Sequence, residues 1–453
     1  MRKLLREMYR PTTLVIILAA IYLVLKLSII NVPSPERPPQ ECIDQAAGCG
    51  FVFDEAHYVR AVRKMLGGEA ANNEHPPLAK YLIMYFILAF GDTPFAWRLP
   101  SVIAGTLSLP LLFLLGRRLV GDDKAALLAT LLFALDVTGF NISSIAILDA
   151  LSLFFALLGA YLFVSGRRYL GVLALSLSAL SKTSAILTAI GVIVYDALAS
   201  RKGVEGSAER VASATRHIVM YGLILLAALV AGLAVYDIQF RAFPHPLAHI
   251  DFILSYHSIL RFNCSEPHLP LYCIHRDDGG AGTVVDLPLN WVLPIWGYQP
   301  MGYYVVTVLV DGREQHPILY YGIQSPVWWL FWIAVIYSMP RGFKTLVDVI
   351  RGREVLQKSG SKTVDTYFTI WTVFNYLVYF PLAYLLSRWV YPFYFYFTVP
   401  VLSIALADIL QNRDLPAYVK WLVIGAQFMW LFIYYPVRSE EHLALLRLLG
   451  LPA

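Results

Sequence analysis

Charge is what this sequence has least of. Only 15% of its 453 residues are Asp, Glu, Lys or Arg, while 58% are hydrophobic, and soluble domains do not have that balance. The net charge of +5 is no nucleic-acid signal, because the basic residues fall in short clusters between apolar runs. No repeat of fixed period and no low-complexity tract is present, which sets aside repeat arrays and disordered linkers. No cleavable signal peptide is evident either. Arg2, Lys3, Arg6 and Arg10 precede an apolar run long enough to span a bilayer, so residues 1–31 are expected to stay as an anchor.

Long apolar runs take the place of charge. About eleven are legible, at 12–31, 99–115, 125–143, 146–166, 169–181, 183–199, 217–236, 326–340, 365–386, 391–409 and 418–436. The expected fold class is therefore an all-α polytopic membrane protein. Residues 78–90 are too short for an easy crossing and are assigned to the outer interface. With that assignment every basic cluster falls on one side. These are the N-terminus, Arg117-Arg118 with Lys124, Arg167-Arg168, the 201–216 loop with Arg201 and Lys202, and the 341–362 loop. The N-terminus is then cytoplasmic and the C-terminus external. Two external segments, 32–98 and 237–325, flank a transmembrane core at 99–236, and a C-terminal bundle follows at 326–453. All four cysteines fall in the external segments, which suggests the short disulfides Cys42–Cys49 and Cys264–Cys273, with other pairings open.

The chain is organised around residues 53–80. Tyr58, Val59, Val62, Met65 and Leu66 share one helical face, Arg60, Arg63 and Lys64 lie off it, and Gly67-Gly68 stops the run. Such a helix lies flat in a membrane interface. Its start holds Asp54 and Glu55 at the mouth of whatever the spans enclose. Both acids also suit a helix N-terminus, as cap and first-turn residue, and a cap can still present its second oxygen to a substrate. Arg98, Asp149, Lys182 and Arg388 lie at the outer ends of spans, at the level of Asp54. Any one of them alone would be read as snorkelling to the interface. Several cations and carboxylates at one depth instead suggest an anionic headgroup and an acid–base step. Asp136, inside a span, has no evident role.

Phe53-Asp54-Glu55, His75-Pro76-Pro77-Leu78-Ala79-Lys80, Arg98-Leu99-Pro100-Ser101, Leu148-Asp149 and Ser181-Lys182-Thr183, in that order, resemble the protein O-mannosyltransferase family of the GT-C superfamily. The likeness is strongest over residues 50–200 and returns at Arg388 and Tyr391-Pro392-Phe393-Tyr394. It implies a GT-C-type fold whose donor is a polyprenyl or dolichyl phosphate sugar, most simply mannose. The acceptor would be a Ser or Thr hydroxyl of a protein on the external face of a prokaryotic plasma membrane. Eukaryotic members carry a large β-rich domain in the second external loop, which residues 237–325 are too short to hold. That departure leaves a lipid or glycan acceptor as the alternative, because aminoarabinose transferases acting on lipid A share a similar first loop. A lipid-linked transporter or flippase is the rival class, although such proteins place charge near the midplane in paired halves.

Within that resemblance Asp54 is the expected base and Glu55 orients the acceptor or the loop. Arg388, Lys182, Arg98, His75 and Lys80 are candidates for the donor phosphate and sugar headgroup. Asp149, His57 and Tyr391 are candidates for sugar or acceptor. The leaving phosphate needs charge stabilisation rather than a general acid, so one carboxylate suffices. No cofactor is required; two carboxylates on different loops are compatible with a divalent cation without demanding one. Membrane lipids surround the chain, nucleic acid is not a partner, and both homodimer and heterodimer are compatible with the sequence.

Overall fold

The computed structural model describes residues 10–199, 207–276, 282–293, 300–310, 312–412 and 415–453. Arg2, Lys3, Arg6, Arg201 and Lys202 lie outside them. Among the described residues, four helices are long and apolar enough to cross a membrane: Pro11–Ile29, Pro94–Val120, Ala208–Phe240 and Ser361–Leu385. Shorter apolar helices pack between them. Large apolar side chains such as Ile16, Leu88, Leu223 and Ile238 stay exposed. That is the arrangement of an integral membrane protein, whose lipid-facing side needs no polar cover.

In chain order the helices of the first half are α1 (Pro11–Ile29), α2 (Glu55–Leu66), α3 (Leu78–Phe90), α4 (Pro94–Val120), α5 (Asp123–Ala134) and α6 (Val137–Ile142). Then come α7 (Leu148–Val164), α8 (Arg168–Ser181), α9 (Ala185–Ala199), α10 (Ser207–Phe240) and α11 (Pro246–Ile259). The run at 125–143, expected as one span, is broken between α5 and α6. Asp136 explains the break. It is the N-cap of α6, accepting from the Gly139 N–H at 2.7 Å and from Trp328 Nε1 at 2.8 Å. A carboxylate in apolar surroundings needs donors, and a helix start supplies them. From α1, the buried Lys26 donates to Phe140 O, Ser143 Oγ and Ser144 Oγ at 2.6, 2.8 and 2.9 Å. Those bonds satisfy the end of the same short helix.

Residues 237–325 are not only an ordered loop. They hold a three-stranded antiparallel sheet, β1 (Cys264–His268), β2 (Tyr272–His275) and β3 (Thr283–Asp286). A hairpin of β4 (Met301–Val310) and β5 (Arg313–Gly322) follows. Both expected disulfides are formed, Cys42–Cys49 and Cys264–Cys273, with Cα–Cα distances of 5.8 and 5.6 Å. The second joins β1 to β2, strands too short to hold together by pairing alone.

Helix α2 buries Tyr58, Val59, Val62 and Met65 of its expected apolar face against the protein, while Leu66, at the helix end, stays exposed. Its polar side departs from expectation. Arg63 is buried, donating to both oxygens of Asp92 at 2.8 and 3.1 Å and lying 5.1 Å from the Trp97 ring. Arg60 donates to Ile43 O and Asp44 O, each at 2.7 Å. Two of the three cations therefore hold protein loops rather than facing lipid headgroups, because unpaired carboxylate and carbonyl oxygens lie within their reach.

Candidate active site

Glu55 lies in the first turn of α2 and is completely buried. Arg98, in the first turns of α4, meets it edge to edge, with Nε to Oε1 and Nη2 to Oε2 both at 2.8 Å. Glu55 also accepts from the Val52 N–H at 2.8 Å and the Ala146 N–H at 2.7 Å. The remaining Arg98 donors reach Ile30 O, Val32 O and Gly50 O at 2.9, 3.0 and 2.9 Å. Every strong acceptor and donor of this pair is taken. Arg98 thus has nothing left for a phosphate, and Glu55 nothing for an acceptor. What the pair does is tie residues 30–33, 50–55 and 146 together. Lys80 is likewise committed: its ammonium is buried and donates to Ala71 O, Asn72 O and His75 O. It holds the turn that carries His75.

Asp54, one residue before Glu55, is in the opposite condition. It precedes α2, yet its side chain makes no capping bond, and among the described residues nothing bonds its carboxylate. Burial pushes the carboxyl up to about 6, against the pull of His57 and Lys182 and with a push from Asp149. Asp54 lines a cavity of about 230 Å³ together with His57, Glu74, His75, Lys182, Arg388 and Tyr391. A second cavity, about 450 Å³, has walls of Ile186, Leu187, Leu254, Leu382, Leu386 and Val390. The two share His75, Lys182, His257, Arg388 and Tyr394. An apolar groove and an acid-bearing chamber therefore meet at one cationic wall.

The cations of that wall are held but not exhausted. Lys182 caps the C-terminus of α8 and pairs with the buried Asp149 at the start of α7. Its ammonium stands 5.2 Å from the Phe393 ring and 4.9 Å from the Tyr394 ring. Arg388 donates through Nη1 to Leu260 O and Trp389 O, at 3.2 and 2.7 Å, and through Nη2 to His257 Nδ1 at 3.1 Å. An arginine only donates, so His257 Nδ1 accepts and its ring proton stays on Nε2. Burial and Arg388 push His257 down to about 4. Burial and neighbouring Lys80 push His75 well down. Both rings are neutral at pH 7, so Lys182 and Arg388 carry the positive charge between the cavities.

Of the residues expected from the sequence, the fold gathers Asp54, His57, His75, Lys182, Arg388 and Tyr391 at one cavity, with Asp149 one contact behind. It sets Glu55, Arg98 and Lys80 behind them as fasteners. Sequence reasoning missed His257 and Arg261, which line the groove; their four-residue spacing across the end of α11 was the available signal. Glu74, next to His75, was missed as well and lines the chamber. Among the described residues no group of three or more His, Cys, Asp or Glu could hold a metal ion, and Asp149 is paired with Lys182 instead.

Residues 74–231 match the family described as dolichyl-phosphate-mannose-protein mannosyltransferase. The family its motifs resemble is the family that matches. Two curated relatives in the mannosyltransferase family are named polyprenol-phosphate-mannose–protein mannosyltransferase. That of Corynebacterium glutamicum is 33% identical over 123 residues, 24% of either chain. That of Mycolicibacterium smegmatis is 28% identical over 112 residues, 23% of this chain and 22% of its own. The matched stretch thus spans about a quarter of those relatives' length. Likeness in structure is broader. The Saccharomyces cerevisiae Pmt1–Pmt2 mannosyltransferase complex bound to the sugar donor superposes with a TM-score of 0.57 at 14% identity, over 93% of this chain and 90% of that one. ArnT from Cupriavidus metallidurans bound to undecaprenyl phosphate gives 0.51 at 14%, over 93% and 63%. The fold is that of the GT-C membrane glycosyltransferases.

Proposed function

We propose that this chain is an inverting glycosyltransferase. It moves a sugar, with mannose the first choice, from a polyprenyl or dolichyl phosphate to a Ser or Thr hydroxyl of a protein, at the extracytoplasmic face of a plasma membrane. One observation supports this above the rest: the apolar groove and the acid-bearing chamber share the wall that holds Lys182 and Arg388. A polyprenyl phosphate sugar has the same three parts in the same order, an apolar tail, an anionic phosphate and a polar sugar. The tail would lie along Leu254, Leu382 and Leu386, the phosphate against Lys182 and Arg388, and the sugar in the chamber. The family match and the names of the curated relatives favour mannose and a protein acceptor.

In the reaction the acceptor oxygen attacks the anomeric carbon from the side opposite the phosphate. The bond between that carbon and the phosphate oxygen breaks, and polyprenyl phosphate leaves as an anion. Lys182 and Arg388 stabilise the charge it gathers, most effectively where water is excluded. Asp54 takes the hydroxyl proton. Its carboxyl, raised to about 6, is still mostly ionised at pH 7 and is a better base than an ordinary aspartate. His57 and Tyr391, at the chamber wall, are placed to bind sugar or acceptor hydroxyls, while Asp149 holds Lys182.

The test is sugar transfer by the purified chain in nanodiscs, given radiolabelled polyprenyl phosphate mannose and a Ser/Thr-rich peptide, with the product read by mass spectrometry. Mannosylated peptide is expected. Transfer to lipid with none to peptide would move the acceptor class, and donor crossing the bilayer of sealed proteoliposomes, without transfer in nanodiscs, would make the protein a transporter.

A further inference from the structure

One cavity lies away from the proposed active site. It measures about 650 Å³ and lies at the other end of the same helices. Helices α4, α7, α8 and α9 each run between the active-site end of the protein and this cavity. Arg98, Asp149, Lys182 and Ala185 are at the first end, and Arg117, Ser165, Arg168 and Asp196 at the second. Along α4 alone Arg98 and Arg117 are nineteen residues apart, roughly 28 Å at 1.5 Å per residue. That is about the thickness of a bilayer's hydrocarbon core.

Four cations line this 650 Å³ cavity, Arg117, Arg118, Arg168 and Lys358, against one carboxylate, Asp196. Arg168 is bound to Asp196 at 2.6 Å, which His217 also reaches at 2.8 Å, and Arg117 is bound to Asp123 at 2.7 Å. Arg118 and Lys358 make no hydrogen bond or ion pair among the described residues. The Ser165 hydroxyl, buried in the wall, also has no partner. Basic residues in the last turn of a helix ordinarily complement its dipole, and that reading accounts for Arg117 and Arg118. It does not account for Lys358, which comes from a distant loop to the same hollow, or for the apolar Phe163 and Leu356 beside it.

We propose that this cavity binds a phosphate-bearing anion, supplied by the headgroup of an anionic phospholipid in the leaflet opposite the active site. Arg118 and Lys358 would take the phosphate, Ser165 would donate to it, and Phe163 and Leu356 would meet the first acyl carbons. A basic hollow between spans at the membrane surface suits such a headgroup. The inference is independent of the reaction proposed above.

The chain in phosphatidylcholine nanodiscs, titrated with phosphatidylglycerol and read by native mass spectrometry, tests it. Wild type should retain phosphatidylglycerol. Arg118→Ala with Lys358→Ala should bind it about tenfold or more weakly. Lys344→Ala with Arg351→Ala removes two exposed cations outside the cavity and should bind like wild type. Both replaced pairs are solvent-exposed, so melting temperature should be unchanged. Equal retention by wild type and the Arg118/Lys358 variant overturns the proposal, and so does an equal loss in the control variant. A parallel titration with glycerol 3-phosphate identifies the source. Saturable binding as tight as that of phosphatidylglycerol, lost in the Arg118/Lys358 variant, keeps the phosphate site but overturns its assignment to a lipid.

Discussion

Asp54 and Glu55 are consecutive carboxylates, yet Glu55 has four hydrogen bonds and a buried arginine while Asp54 has no bond to its carboxylate. The same contrast separates two groups of residues. Glu55, Arg98 and Lys80 are buried with their donors and acceptors consumed by protein, whereas Asp54, Lys182 and Arg388 keep unfilled bonding capacity and face a cavity. In a medium of low dielectric a charge must be paired, or it is expensive. A charge left incompletely paired at a cavity wall is therefore one whose partner can be a substrate. Both groups are needed: the first fixes the loops that carry the second.

The largest effect that would sharpen this contrast is at Asp54. Asp54→Asn should lower sugar transfer about 10²–10⁴-fold with donor binding retained, because the amide cannot accept the proton. A variant that folds and transfers sugar within about threefold of wild type would place the base elsewhere. Arg98→Ala should fail in another way. It leaves the Glu55 charge buried alone, a loss on the order of 3–5 kcal/mol, and should be seen as poor yield and a lowered melting temperature. A soluble, stable Arg98→Ala protein with weakened donor binding alone would return Arg98 to the phosphate site. Arg388→Ala comes next, with donor affinity falling about 10–100-fold, as removal of a charged hydrogen-bond donor implies, and turnover falling alongside while the fold survives.

The smallest effects are those of pH. Activity should fall as pH drops through about 6, where Asp54 takes up its proton. Stability should move the other way. A carboxyl raised in the folded state loses stabilisation as pH rises from the ordinary carboxylate range through about 6. Asp54→Asn should therefore melt above wild type at pH 7, with the gap closing by about pH 4. A gap of opposite sign would mean that protein groups hold the Asp54 carboxylate after all.

Much of this protein is written along the chain. Runs of apolar residues are long enough to specify membrane helices without reference to anything distant, because hydrocarbon rewards apolar length directly. The charged residues at the ends of these runs, Asp149, Lys182 and Arg388, were legible as one level with Asp54 in the first external segment, and the four cysteines paired as their spacing suggested. Partnership was not legible. Nothing local distinguishes Arg98 from Arg388: both are arginines at span ends. Arg98 meets Glu55 across 43 residues and carbonyls across 48 to 68 more distant positions, and main-chain oxygens have no letter in a sequence. Only the tertiary structure could decide that Arg98 is consumed and Arg388 is not. It alone broke the third run at Asp136 and folded Arg63 inward onto Asp92. Local composition determines which segments leave water, while the fate of a charge depends on which donors and acceptors the packed chain brings within about 3 Å of it.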